Sequence, residues 1–149
     1  TNLSEGRGTD SPFSFIGAPW LNSKELVKRL NNLNLEGVVF NDIIFTPRFI
    51  PGKSISPKYK DQKCYGVELD ITDRNLSSPL LITANIIDIV FDLHPDYFKF
   101  NEDNFFDKLY GSDQLRNLIL SKRDLDVLVD KWKDDSMKFK KTREPFLIY

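Results

Sequence analysis

Between Leu80 and Leu93 the sequence writes a helix that is apolar on most of its sides. Such a helix has no solvent face, so it must sit at the centre of a fold with other elements packed around it. Thr83, Asn85, Asp88 and Asp92 interrupt the run. It is also shorter than the roughly 20 apolar residues that a bilayer requires, so it is not a membrane span. Ser78 and Pro79 make a good helix start, and His94-Pro95 makes a stop. A chain of 149 residues is long enough to bury one such helix in one domain.

The other elements follow from shorter patterns. Asn22 with Glu25 three residues on forms a capping box, and Leu26, Val27, Leu30 and Leu33 give the helix behind it an apolar face that Gly37 ends. Val38 to Phe45 reads as a buried strand stopped by Pro47. Residues 50 to 63, with Pro51, Gly52, Pro57 and several lysines, read as a mobile loop. Tyr65 to Thr72 alternates, with Val67, Leu69 and Ile71 on one face and Glu68, Asp70 and Thr72 on the other. Phe98 to Phe106 is aromatic and irregular. Ser112 or Asp113 caps a short helix, and Ser121 with Asp124 opens a longer one striped by Leu125, Leu128, Val129, Trp132 and Phe139. Pro145 to Tyr149 reads as a final strand. Three strands and four helices in this order predict an α+β domain with a small mixed sheet.

Composition limits the function. The formal net charge is −1, which argues against a nucleic-acid or membrane-surface protein, since both need a basic footprint. Lys58, Lys60 and Lys63, and Lys138, Lys140 and Lys141, read as solvated surface. Twelve Phe, five Tyr and two Trp favour an aromatic interior or a sugar-stacking surface. Cys64 is the only cysteine, so no internal disulfide forms; a buried, inert thiol is the expectation. His94 is the only histidine, and beside a helix end it is expected to cap backbone rather than bind a metal or serve a triad. No cofactor or metal site is expected.

The first twenty residues are unlike the rest. Asn2, Ser4, Arg7 and Thr9 crowd around Gly6 and Gly8, and Pro12-Phe13 and Ile16-Gly17-Ala18-Pro19-Trp20 follow. Residues 1 to 21 read as a loop that presents Arg7 from a glycine-flanked turn. As a phosphate cradle the turn is weak, because it lacks the lysine and the spacing of a P-loop. A segment this rich at residue 1 suggests a piece of something longer. Glu68 and Asp70, roughly 7 Å apart along one strand face, have a spacing that would suit an inverting glycosidase. Polar residues on the outer face of a half-buried strand are the ordinary pattern, however. Asp73-Arg74 at the strand end either serves a site or holds a turn.

These blocks resemble the C-terminal half of bacterial exo-β-N-acetylmuramidases. The resemblance rests on Asn2-x-Ser4-x-Gly6-Arg7-Gly8-Thr9, Pro12-Phe13 and Ile16 to Trp20. It continues through Phe45-Thr46-Pro47-x-Phe49, Cys64-x-Gly66-Val67 and Thr72-Asp73-Arg74. Asp107-x-Leu109-x-Gly111, Leu115-Arg116, Trp132, Phe139, Arg143 and Leu147-Ile148-Tyr149 complete it. The family releases N-acetylmuramic acid from the non-reducing end of peptidoglycan fragments. It uses a cleft between an N-terminal Rossmann-like domain, which carries the proposed catalytic glutamate, and a C-terminal α/β domain. The resemblance implies that residues 1–149 are the substrate-side domain and that the catalytic domain is absent here. It further implies no catalytic residue in this chain, and Asn2, Ser4, Arg7 and Thr9 as substrate-binding residues of the cleft-facing loop, with Arg7 either holding the sugar's lactyl carboxylate or pairing with an acidic residue to stitch the two domains. Asp73 and Arg74 at the strand end are added as substrate-binding candidates. The implied partners are a muramyl saccharide and the N-terminal domain, in a periplasmic or extracellular setting. A stand-alone carbohydrate- or protein-binding domain is the alternative.

Overall fold

The computed structural model describes residues 1–148. Strand β1 is Phe15–Ala18, helix α1 Ser23–Asn32, strand β2 Val38–Phe45 and strand β3 Cys64–Ile71. The helices α2 Pro79–Leu93, α3 Phe105–Tyr110, α4 Gln114–Leu120 and α5 Asp126–Arg143 follow, and a short 3-10 turn spans Glu144–Phe146. The architecture is α+β, as the patterns predict. The sheet has the order β1-β3-β2 and is antiparallel throughout rather than mixed.

The central helix is where its composition requires it. Ile82, Ala84, Ile86, Ile87, Ile89 and Val90 of α2 are buried. The helix lies against α1 and α4, while α1 in turn covers β2 and β3. Leu26 and Leu30 of α1 are fully enclosed, each contributing about 2 kcal/mol by burial. The alternation of β3 holds. Val67 is buried and Leu69 half-buried opposite the buried Phe40, and Glu68 and Asp70 pair with Asn41 and Val39 on the other face; Ile71, expected on the core face, is exposed at the strand end.

At α1 half of the expected capping box forms: Asn22 Oδ1 accepts the Glu25 N–H at 3.2 Å, but the Glu25 carboxylate accepts from Arg29 Nε instead of from the Asn22 N–H. The box fails at α5. Ser121 instead closes α4, its hydroxyl donating to the carbonyls of Asn117 and Leu118, and α5 begins only at Asp126. Gly37 does not end α1, which stops at Asn32; its carbonyl accepts the N–H groups of Thr72 and Asp73 beside the sheet. Among the described residues no final strand forms. Helix α5 runs to Arg143, and Pro145, with φ fixed near the helical value, continues into the 3-10 turn. Tyr149, the last residue of that expected strand, lies outside the described residues. The third strand is β1, from the segment read as loop.

His94 caps a helix, but by the opposite polarity to the one expected. Its Nε2 accepts the N–H of Asn22 at 3.0 Å, joining the end of α2 to the start of α1. Burial lowers the imidazole pKa. The neutral ring is the folded form, so the unfolded chain takes up the proton more readily. Stability from this group is present above about pH 6.5 and is lost as pH falls through the lower folded value. Unfolding free energies measured from pH 7.5 downward are expected to fall more steeply in the wild type than in His94→Gln. Parallel curves would remove the role.

Helix α3, absent from the sequence reading, is secured by one ion pair. Arg116 on α4 grips Asp107 through Nε and Nη2 at 2.7–2.9 Å, a bidentate contact with both side chains largely enclosed. Arg116→Ala is expected to lower the thermal midpoint more than Lys122→Ala, which removes only an exposed 3.8 Å pair with Asp92. Equal midpoints would show that the grip contributes nothing.

Candidate functional site

The N-terminal segment is a strap along the sheet edge. Ser4 and Gly17 exchange both backbone hydrogen bonds, at 2.8 and 3.0 Å, so residues near Ser4 extend the sheet beyond β1. Leu3 is buried beneath the strap. The tight turn that follows requires its glycines. Gly6 and Gly8 have φ of +75° and +83°, and a Cβ on Gly8 would stand 2.5 Å from the Arg48 carbonyl oxygen.

The four polar residues of the strap divide by role. Asn2 is fully occupied, its amide donating to the Tyr97 carbonyl at 2.8 Å and accepting from the Lys99 N–H at 2.9 Å. Ser4 is buried, and its hydroxyl accepts the Gly6 N–H at 3.4 Å. The Thr9 hydroxyl donates to the Gly6 carbonyl at 2.7 Å and accepts the Ser11 N–H. These contacts turn the Gly6 N–H inward, so the turn offers no phosphate cradle there. Only Arg7 projects, with its side chain 59% exposed.

Arg7 is held on two sides. Its Nε stands 3.3 Å from Glu5 Oε1, and its guanidinium lies 5.4 Å over the Phe13 ring. The acidic partner is thus a neighbour within the same loop. Glu5 also faces Lys58 Nζ at 3.9 Å. Lys58 was expected to be solvated surface. Instead it donates to the carbonyls of Thr1 and Leu3 at 2.6 and 3.1 Å, and it latches the 50–63 segment onto the strap. Tyr59 adds a second latch by donating to the Asn2 carbonyl and accepting from Trp20 Nε1. Trp20, packed beside Tyr97 at 6.0 Å, therefore anchors the strap.

Arg7, Glu5 and Lys58 stand at the mouth of a cavity of about 560 Å³ whose walls include Leu3, Phe13, Ile87 and Leu109. The strap supplies its charged rim and α2 and α3 its apolar wall. This combination receives a ligand that is partly apolar and carries an anionic group. Glu5 and Lys58 were missed in the sequence because each reads alone as an ordinary surface charge. Only the strap's path over the 50–63 segment brings them together.

Asp73 and Arg74 do not line this cavity. The Asp73 carboxylate accepts the Asn75 N–H at 2.8 Å and its carbonyl the Ser77 N–H, which closes the turn after β3. Glu68 and Asp70 also lie outside the cavity wall. Burial pushes the Cys64 thiol up to about 11, which keeps it protonated and unreactive. Among the described residues no cluster of three or more His, Cys, Asp or Glu is placed to hold a metal ion. No helix among them is long and apolar enough to cross a membrane.

The family model described as exo-beta-N-acetylmuramidase NamZ, C-terminal, matches residues 1–149. The chain belongs to this family. Peptidoglycan beta-N-acetylmuramidase NamZ of Bacillus subtilis (strain 168) is 38% identical over 149 residues, which are all of this chain and 34% of that protein. The chain thus spans about a third of its curated NamZ relative. Two crystal structures of DUF1343 family proteins from Bacteroides fragilis NCTC 9343 share the fold. One, at 25% identity and a TM-score of 0.84, is matched over 99% of this chain and 38% of its own. The other, at 30% identity and 0.65, is matched over 100% and 37%.

Proposed function

We propose that this chain is the substrate-side domain of a NamZ-type exo-β-N-acetylmuramidase, and that the strap forms one wall of the cleft in which a terminal N-acetylmuramic acid is held. In this reading the other wall, with the group that performs the hydrolysis, belongs to the remainder of a longer protein. Peptidoglycan-derived muramyl saccharides are the substrate, and the setting is periplasmic or extracellular.

The observation that carries the reading is the presentation of Arg7. Glu5 engages its Nε and Phe13 covers one face, while Nη1 and Nη2 make no hydrogen bond among the described residues. A guanidinium held in this way offers its two terminal nitrogens as a fork for a carboxylate. The lactyl group distinguishes N-acetylmuramic acid from N-acetylglucosamine by such a carboxylate. Asn2, Ser4 and Thr9 then act as builders of the turn that aims Arg7. Asp73 and Arg74 support the strand end.

The test is discrimination between two chromogenic glycosides by the longer protein. The N-acetyl-β-muramide is expected to be hydrolysed well, and the N-acetyl-β-glucosaminide, which lacks the lactyl carboxylate, poorly. Equal use of both would overturn the reading.

A further inference from the structure

We infer that Phe13 is a platform on which a second, uncharged sugar ring stacks, in a hollow that shares Arg7 and Phe13 with the cavity described above. The inference rests on the reading that a muramyl unit is held at Arg7, and it adds the residues that hold the adjoining saccharide unit.

The backbone at residue 13 calls for glycine. Phe13 has a φ of +68°, in the left-handed region that bulky side chains seldom enter. Its N–H donates to the Glu5 carbonyl at 2.7 Å, which closes the loop from residue 5 to residue 13. Glycine would take this conformation without steric cost. Among the described residues one other aromatic residue has a positive φ, Tyr59 at +54°, and it offsets the strain by packing on the core and donating to the Asn2 carbonyl. Phe13 does neither. It is 65% exposed and stands outside the core. Its ring meets the Arg7 guanidinium at 5.4 Å, an exposed contact of modest strength. Strain kept at an exposed ring that the core does not use points to a ligand.

What surrounds the ring narrows the ligand. Phe13 and Arg7 line both the 560 Å³ cavity and a second hollow of about 590 Å³. The strap turn forms one side of this hollow, with Asp10 and Pro12, and the turn at 50–54 forms the other, with Ile50 and Lys53. Backbone hydrogen bonds fix both sides. The Gly8 carbonyl accepts the Arg48 N–H at 2.8 Å, and Ile50 and Ser54 exchange two bonds at 2.8 and 2.9 Å. The hollow is therefore formed before a ligand arrives.

Asp10 and Lys53 are exposed, and their side chains make no hydrogen bond or ion pair among the described residues. One only accepts and the other only donates. With Arg7 engaged by the carboxylate of the muramyl unit, the remaining charges of the hollow balance, so its ligand is uncharged. The C–H face of a pyranose stacks on an aromatic ring, while its hydroxyl and amide groups supply a donor for Asp10 and an acceptor for Lys53. An aliphatic chain would leave both charges unmet. A sugar ring joined to the muramyl unit is the ligand that fits a platform common to the two hollows.

Phe13→Gly in the longer protein tests this. It removes the ring and supplies the residue that the backbone favours, so the thermal midpoint is expected to be unchanged or raised. Release of N-acetylglucosamine from its disaccharide with N-acetylmuramic acid gives the KM for two rings, and competition by methyl N-acetyl-β-muramide gives the KI for one. The KM is expected to rise several-fold more than the KI. Phe13→Trp is expected to keep most of the affinity for the disaccharide, and Lys53→Ala to act in the same direction as Phe13→Gly, more weakly. Equal changes in KM and KI for Phe13→Gly would mean that the ring acts only through Arg7, and would overturn the inference. So would a lowered midpoint with both constants unchanged, the mark of a structural ring. Should Phe13→Gly fail to fold, equal changes in KM and KI for Lys53→Ala overturn it instead. A silent Arg7→Ala, with Phe13→Gly still separating the two ligands, would sink the carboxylate reading alone, and the reverse result would sink only the platform.

Discussion

Arg7→Ala in the longer protein is expected to raise KM for an N-acetyl-β-muramide by about tenfold or more, with kcat much less affected. The size follows from the loss of a charge-assisted contact, which costs about 1.5–3 kcal/mol. The direction follows from geometry. Arg7 stands at the mouth of the cavity beside an exposed acidic neighbour, and an exposed pair of this kind adds little stability of its own. Its removal should therefore leave folding nearly unchanged and weaken substrate binding. Arg7→Lys keeps the charge but loses the fork, so only part of the binding should return. Unchanged kinetics together with a lowered unfolding midpoint would show instead that Arg7 stitches structural elements together.

Gly66→Ala is expected to be the most damaging single substitution to the fold. Gly66 and Gly17 face each other across β3 and β1. A Cβ on Gly66 would lie 2.2 Å from the Ile16 carbonyl oxygen and 2.9 Å from the Gly17 Cα. Those are backbone atoms, so no side chain can swing aside. The strands must separate, and the bridge from Gly17 to Ser4 must shift with them. A loss of about 3 kcal/mol is expected, at the upper end of ordinary overpacking. Urea unfolding at neutral pH measures it. A midpoint equal to the wild type would mean that β1 does not pair with β3 in this register. Because the strap carries Arg7, the same variant of the longer protein should also lose affinity for the muramide.

How much of this was legible in the sequence depended on whether the signal was periodic. The apolar run of α2 and the alternation of β3 are repeated patterns set by burial, and both elements are found where the patterns place them. Strand β1 has four residues, two of them Gly17 and Ala18. It is defined by close approach to Gly66 rather than by a run of β-forming side chains, so propensity does not reveal it. Helix α3 was missed for a related reason. Phe105 and Leu109 are exposed while Phe106 is only partly covered, so the stretch shows no single apolar stripe. The capping box proposed at Ser121 has the right letters, yet Ser121 closes the preceding helix, a use that the motif alone does not separate from opening the next.

The candidate site was half legible. Gly6 and Gly8 announce a turn and Arg7 the group that it presents, and the left-handed backbone there matches that reading. The companions of Arg7 were not visible. Lys58 is distant in sequence and reads as one of several loop lysines; its role comes from two strap carbonyls that no sequence pattern marks. Ser4 and Thr9 carry the polar chemistry of a binding loop but spend it within the turn.

The central claim is that these residues hold the substrate while another region performs the reaction. The most direct measurement is release of the chromophore from a chromogenic N-acetyl-β-muramide by the 149-residue chain and by the longer protein under the same conditions. The account predicts turnover by the longer protein and none by the 149-residue chain. Turnover by the 149-residue chain that Glu68→Gln abolishes would contradict it, and would move the chemistry to the outer face of β3.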